Sequence, residues 1–313
     1  MSFYLVTGGA GFIGSSIVEE LLLRRQRVRV LDNFATGQRA NLTPFLDQIE
    51  MIEGDIRDLE TVRDAVSGVD FVLHQAALPS VPRSVAAPIT TNETNITGTL
   101  NILVAARDAQ VRRVVYASSS SVYGNSPTLP KHENMPTAPM SPYAVSKLAG
   151  ENYCQAFTTV YNLPTIALRY FNVFGPRQNP TSQYSAVIPK FISQMLAGKS
   201  PTINGDGSQS RDFTFVKNVV RANLLAAEAP PQISGFYNVA CGVRYTLMDL
   251  VDKLNEILGL NVKPQFGPER PGDVKHSLAD ITKIQQALGY EPQIDFVEGL
   301  KLIAQTFLSD ASH

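Results

Sequence analysis

Short, almost continuously apolar runs alternate with longer stretches whose apolar positions recur every three or four residues. Phe3-Tyr4-Leu5-Val6-Thr7 reads as a buried strand and Phe12 to Arg25 as a helix. Val28 to Leu31, Ile49 to Glu53, Phe71 to Leu73 and Val114 to Tyr116 repeat the strand signal. Helical stretches near Leu59 to Val66 and Thr94 to Ala109 lie between them. Strands buried on both faces lose polar alternation, and steady strand–helix succession implies right-handed crossovers. The pattern predicts the α/β class, with a doubly wound parallel sheet whose ligands gather at the carboxyl ends of the strands.

The second half is less regular. Asn125 to Pro142 is proline-rich and reads as a surface loop. A long helix is predicted from Pro142 to Tyr161, with Ser141 as N-cap and proline suited to the first turn. A strand over Thr165 to Phe171 precedes an irregular stretch, Gly175 to Tyr184; further helices are predicted near Ala186 to Ala197, Leu247 to Leu258 and Phe296 to Phe307. The organisation expected is a nucleotide domain over 1–171 plus about 213–238, and a smaller α/β substrate domain over 172–212 and 239–313.

Composition narrows the class. The 313 residues are 44% hydrophobic, enough for a sizeable core, which excludes general disorder. The 27 Lys and Arg against 28 Asp and Glu argue against a nucleic-acid binder or an electrostatic membrane binder. Apolar runs fall short of a bilayer span, and Met1-Ser2 leads straight into a strand, so no secretory signal is expected. Two cysteines, Cys154 and Cys241, fit a reducing cytoplasm rather than a disulfide framework, and the four scattered histidines offer no metal spacing. A cytoplasmic enzyme without a metal is the expectation.

Gly8-Gly9-Ala10-Gly11-Phe12-Ile13-Gly14 joins the first strand to the first helix. Glycines at 8, 11 and 14 allow a tight turn, admit a pyrophosphate against bare backbone and bring the helix close to the sheet. Asp32 closes the second strand, where a carboxylate accepts from ribose hydroxyls and repels a 2′-phosphate; this favours NAD over NADP. Asp55 follows the third strand and is placed either toward the adenine or as a helix cap before Leu59.

The run Ser118-Ser119-Ser120-Ser121-Val122-Tyr123-Gly124 follows the Val114 to Tyr116 strand, and Tyr143 and Lys147 open the long helix four residues apart, on one face. A free phenol has a pKa of about 10, and bringing it to about 7 takes roughly 4 kcal/mol. One ammonium about 4 Å away supplies about that at an effective dielectric near 20. Tyr143 is thus a candidate general base for a sugar or alcohol hydroxyl, with a serine sharing the hydrogen bond.

The glycine turn, Asp32, Asp55, the serine run, Tyr143 with Lys147, and Arg169-Tyr170-Phe171-Asn172 together resemble the extended short-chain dehydrogenase/reductases. Within them the chain is similar to the UDP-hexose 4-epimerases, especially the UDP-N-acetylglucosamine branch. The resemblance runs from Thr7 to about Tyr290 and implies a Rossmann-type domain holding NAD. It implies catalysis by Ser119, Tyr143 and Lys147. The cofactor residues implied are Gly8, Gly11, Phe12, Ile13, Gly14, Asp32, Asn33, Asp55, Ile56, Ala76, Ala77, Asn95, Tyr143, Lys147 and Tyr170. For a UDP-sugar they are Ser80, Ser119, Ser120, Tyr143, Asn172, Arg211, Arg270, Asp273 and Ser277. Arg211 and Arg270 suit a diphosphate because a guanidinium offers paired donors. Asp212 reads as a local cap or ion-pair partner, and His74 as structural.

Related dehydratases carry an Asp-Glu pair where Ser120-Ser121 stand, and decarboxylases a Glu at the position of Ser121. UDP-glucuronate 4-epimerases share a similar serine run but usually depart from Arg169-Tyr170-Phe171-Asn172, which leaves them the alternative. A dehydrogenase that releases reduced cofactor and a non-catalytic NAD sensor are the other classes. Ser277 falls where epimerases restricted to plain hexoses have an aromatic wall; a small side chain leaves room for a 2-N-acetyl group. Pro79 stands where glucose-type enzymes have a lysine. The resemblance also implies a homodimer through the Thr94 to Ala109 helix and the catalytic helix.

Overall fold

The computed structural model describes residues 1–178, 187–268 and 275–310. Its centre is a seven-stranded sheet whose pairings are all parallel. Six strands come from the first half: β1 (Phe3–Thr7), β2 (Arg27–Asp32), β3 (Glu50–Glu53), β4 (Phe71–His74), β5 (Arg113–Ser119) and β6 (Thr165–Tyr170). The seventh, Gly235–Val239, pairs with β6. The spatial order is Gly235–Val239, β6, β5, β4, β1, β2, β3. The chain therefore leaves β1 first toward β2 and β3, then reverses toward β4. The crevice created at that reversal, between the carboxyl ends of β1 and β4, is where doubly wound sheets bind ligands.

Burial explains the continuous apolar runs. All five residues of β1, all four of β4 and all six of β6 are buried. Helices Phe12–Leu23 and Val216–Glu228 cover one face, while Leu59–Val66, Gly98–Asp108 and Pro142–Tyr161 cover the other. The first core continues into the later residues, where Phe213, Phe296 and Tyr245 stack with centroids 5.1 and 4.2 Å apart. Three small two-stranded pairings complete that part: Val173–Phe174 with Thr214–Phe215, Ser210–Arg211 with Tyr245–Thr246, and Thr202–Asn204 with Gln265–Gly267.

Several elements differ from the sequence reading. Val216–Glu228 and Thr282–Leu288 are helices that the pattern did not announce. Neither has a side-chain N-cap, the first carries two interior asparagines, and the second has only seven residues. The Thr94 to Ala109 helix begins instead as a π-helical turn, Glu93–Thr97, that passes into Gly98–Asp108. The strand foreseen to Phe171 ends at Tyr170, and the helix foreseen from Ala186 is Val187–Leu196, with Ala186 outside the described residues.

Candidate active site

The glycine turn sits at the β1/β4 crevice. Gly8 has φ +69°, and a Cβ there would stand 2.7 Å from the amide nitrogen of Ala76, just after β4. A Cβ on Gly14 would meet the Gly8 carbonyl oxygen at 2.1 Å, so the helix start lies flush against the turn. Gly11 is the N-cap of Phe12–Leu23 and supplies no side-chain hydrogen bond, which leaves the first helical amides for an anion. Phe12 and Ile13 open that helix.

Asp32 is buried at the end of β2, and its carboxylate accepts from the amides of Ala10 (2.9 Å) and Phe34 (2.8 Å). Burial raises its pKa and the two amides oppose the rise. It thus braces the glycine turn. Asn33 donates to Asp55 at 2.9 Å, which brings these two candidates together. Asp55 lies two residues beyond β3, and a hydrogen bond from Arg57 is the main force holding its carboxyl at about 2. The cap of Leu59–Val66 is Asp58, not Asp55. Ile56 is buried against Gly98.

The π-helical turn has a consequence here. It buries Asn95, whose side chain accepts from the Leu78 amide (2.7 Å) and donates to the Leu78 carbonyl (3.2 Å) and Ser146 Oγ (3.0 Å). Asn95 thereby fixes the segment with Ala76, Ala77 and Leu78 against the long helix. Such bulges commonly aim one side chain at a working site. Ser80, at φ +97°, caps Val81–Ala86, and the Ser84 hydroxyl bonds the Val81 carbonyl. The Tyr170 hydroxyl is engaged by Gln75 and Asn223, a buried network the sequence did not reveal. His74 bridges the Thr7 (2.6 Å) and Thr99 (3.0 Å) hydroxyls, and burial holds it at about 3.

Ser141 caps Pro142–Tyr161 by accepting from the Ala144 amide, which sets Tyr143 and Lys147 in its first two turns. The Ser119 hydroxyl lies close enough to the Tyr143 phenol to favour its ionised form. Ser119 accepts from the Ser121 amide at 3.2 Å, which leaves its own proton free to donate. That polarity favours phenolate, but burial dominates and pushes Tyr143 up. Lys147 Nζ donates to the Ala117 carbonyl at 2.8 Å and stands 5.9 Å from the Tyr143 ring centre. Burial lowers Lys147 to about 8. The turn Ser120–Tyr123 follows β5 directly, and Ser121 Oγ is buried with no hydrogen-bond partner among the described residues.

Asn172, at φ +36°, follows β6 and donates to the Asp212 carbonyl (3.0 Å) and toward Ser277 Oγ (3.4 Å). The Ser277 amide donates to the Ser210 carbonyl at 2.9 Å. Arg211 donates to the Ser210 and Lys275 carbonyls at 3.0 Å. Asn172, Arg211 and Ser277 are therefore neighbours. Arg270 and Asp273 lie outside the described residues. The local cap or ion pair foreseen for Asp212 is replaced by a clasp. Its buried carboxylate accepts from the Cys241, Gly242 and Ala279 amides, at 3.0, 3.0 and 3.2 Å, and burial raises it to about 6. Those donors come from distant parts of the chain, which local patterning does not reveal.

This cradle and its Tyr–Lys helix match a family model described as the NAD dependent epimerase/dehydratase family over residues 4–240. The chain belongs to that family. NAD is its cofactor, and the residues present fit it: a bare glycine cradle, a helix start without a side-chain cap, and a carboxylate at the β2 terminus. Among family members of known structure, a UDP-N-acetylglucosamine 4-epimerase from Methanobrevibacter ruminantium, in complex with UDP-N-acetylmuramic acid, is 42% identical; the match covers 99% of each chain with a TM-score of 0.94. A UDP-glucose 4-epimerase from Thermotoga maritima with UDP-glucose is 36% identical over 99% of each chain, again at 0.94. A UDP-glucose 4-epimerase of Mycolicibacterium smegmatis is 38% identical over 97% of each.

Proposed function

We propose that the protein is a UDP-hexose 4-epimerase interconverting UDP-GlcNAc and UDP-GalNAc, and also UDP-Glc and UDP-Gal, through a transient 4-keto sugar. The observation that carries this reading is Tyr143 beside Ser119 at the end of β5, with small serines following at 120 and 121. A base is in place for the sugar hydroxyl, whereas the acidic pair used to eliminate water is missing. Relatives named as 4-epimerases over nearly the full length support the same activity.

Bound NAD supplies a hydride acceptor that returns what it takes, together with a positive ring that favours phenolate. Gly8, Gly11 and Gly14 would hold its pyrophosphate and Asp32 its adenosine ribose. Tyr143 takes the C4 hydroxyl proton and later returns it, Ser119 orients that hydroxyl, and Lys147 keeps positive charge near the phenol. Arg211 grips the diphosphate together with Arg270, while Asp273 serves the nucleotide ribose. The sugar must be held loosely enough to turn, because a single tight pose would stop inversion. Ser277 beside Asn172 leaves room for a 2-N-acetyl group.

The same reading divides the chain into a nucleotide domain (1–171 and about 213–238) and a sugar domain (172–212 and 239–313). It makes the protein a cytoplasmic homodimer through the helices at 94–109 and 142–161. Val145, Tyr153 and Val160 are exposed along the second of these. No helix among the described residues is long and apolar enough to cross a membrane. The test is to incubate the purified protein with each UDP-hexose and with UDP-glucuronate, without added NAD, and resolve the C4 epimers. Formation of the GlcNAc/GalNAc pair at an equilibrium ratio supports the reading. Turnover of UDP-glucuronate alone, or product formed only with stoichiometric NAD consumption, refutes it.

A further inference from the structure

Glu151 lies eight residues beyond Tyr143 and four beyond Lys147, so the three share one face of Pro142–Tyr161. Its carboxylate accepts two bonds from the Arg169 guanidinium, at 2.8 Å from Nε and 2.7 Å from Nη2, and a third from the Ser118 hydroxyl. Both side chains of the ion pair are 1% exposed. Ser118 and Arg169 are register partners on β5 and β6. The guanidinium lies 4.7 Å from the Tyr123 ring centre and 4.3 Å from that of Phe236. Tyr123 closes the turn that starts at Ser120, and its hydroxyl donates to Asn238 on the Gly235–Val239 strand.

The consequence is geometric. Successive residues of β5 face the helix: the Ala117 carbonyl takes Lys147, Ser118 donates to Glu151, and Ser119, the next residue, lies beside Tyr143. Two of those contacts belong to the proposed chemistry. The third belongs to a buried ion pair, and for such pairs desolvation commonly offsets the attraction, so that apolar replacements of similar volume are often neutral. An isolated charge there would be costly, so the pair must be kept or lost together.

We propose that Glu151, Arg169 and Ser118 form a positioning device that sets the axial register of the catalytic helix on β5, holding the Tyr143 oxygen at the Ser119 hydroxyl. None of the three is a catalytic residue. The inference rests on the 4-epimerase reading for its activity readout. It explains a charged residue, the last but one, in β6, a strand that is wholly buried and apolar from Ile166 to Leu168. A base displaced by about 1 Å loses on the order of a hundredfold in rate while substrate binding, set elsewhere, is spared.

The test compares wild type with Ser118→Ala and with the double variant Glu151→Met/Arg169→Met, which removes both charges at similar volume. Wild-type turnover of UDP-hexoses is measured first; its absence would count against the 4-epimerase reading rather than against the device. Given that turnover, the double variant is expected to fold and to bind UDP-sugar by calorimetry within about threefold of wild type. Its kcat is expected to fall by roughly tenfold to a hundredfold at nearly constant KM. Ser118→Ala, which deletes one hydroxyl and its bond to the Glu151 carboxylate, is expected to lose about threefold to tenfold in kcat at nearly constant KM, with a melting temperature lower by a few degrees. If the double variant does not fold, Ser118→Ala decides alone. Wild-type kcat in whichever variant folds, or a loss confined to KM, overturns the proposal.

Discussion

Asn172 Nδ2 lies 3.4 Å from Ser277 Oγ, although 105 residues of chain separate them. The contact joins the end of β6 to the segment whose amide at Ser277 is tied to Ser210. A side chain at 277 is therefore held beside Asn172 and cannot swing away with its own backbone. Replacing Ser277 with Tyr should fill that space. Overpacking costs about 1–3 kcal/mol, so kcat/KM for UDP-GlcNAc should fall roughly tenfold to a hundredfold more than for UDP-Glc. Steady-state kinetics on both substrates check this, and equal losses would remove Ser277 from the specificity determinants.

Tyr143→Phe removes the phenol oxygen beside Ser119 while preserving the ring. Because the phenol is the base this reading assigns to the sugar hydroxyl, turnover should drop by at least about a hundredfold. NAD affinity, measured by titration, should stay within about threefold, since the glycine cradle is untouched. Retained turnover would move the proton transfer to another group.

Asp32→Ala should act twice. It removes the carboxylate proposed to hold the adenosine ribose, and it releases the Ala10 and Phe34 amides that brace the glycine turn. NAD binding should weaken by about tenfold or more, with NADP losing less or gaining, because the repulsion of a 2′-phosphate disappears. Fluorescence titration with both nucleotides measures the ratio. An unchanged ratio would assign discrimination to another residue.

The parallel sheet was legible because β1, β4 and β6 are buried on both faces and so lack polar alternation. The glycine turn and the Tyr143/Lys147 spacing were legible because each is local. What was not legible is long-range. The amides clasped by Asp212 come from residues 29 to 67 positions away, and Tyr170 meets Asn223 across 53. Arg169 did leave a trace, a charge inside an apolar strand, yet only the fold shows that Glu151 answers it. Spacing placed Lys147 on the face of Tyr143 but gave neither its bond to Ala117 nor the burial that works against ionising the phenol.

His74 gives a prediction about acid stability. It is wholly enclosed between the Thr7 and Thr99 hydroxyls, and burial, helped by the nearby Lys147 charge, lowers it from 6.5 to about 3. The folded-state value lies below the unfolded one, so between about pH 6.5 and 3 the unfolded chain binds a proton that the folded chain refuses. This contribution is fully present above pH 6.5 and drains away as pH falls toward 3. One proton corresponds to roughly 1.4 kcal/mol per pH unit over that window. His74→Gln should be less stable than wild type at pH 7, having lost one or both threonine contacts. Its stability should nevertheless decline less steeply between pH 6 and 4, by about one proton's worth. Urea unfolding at several pH values measures both slopes. Parallel slopes would mean that the imidazole takes up its proton in the folded protein, and that the threonine pair tolerates the charged ring.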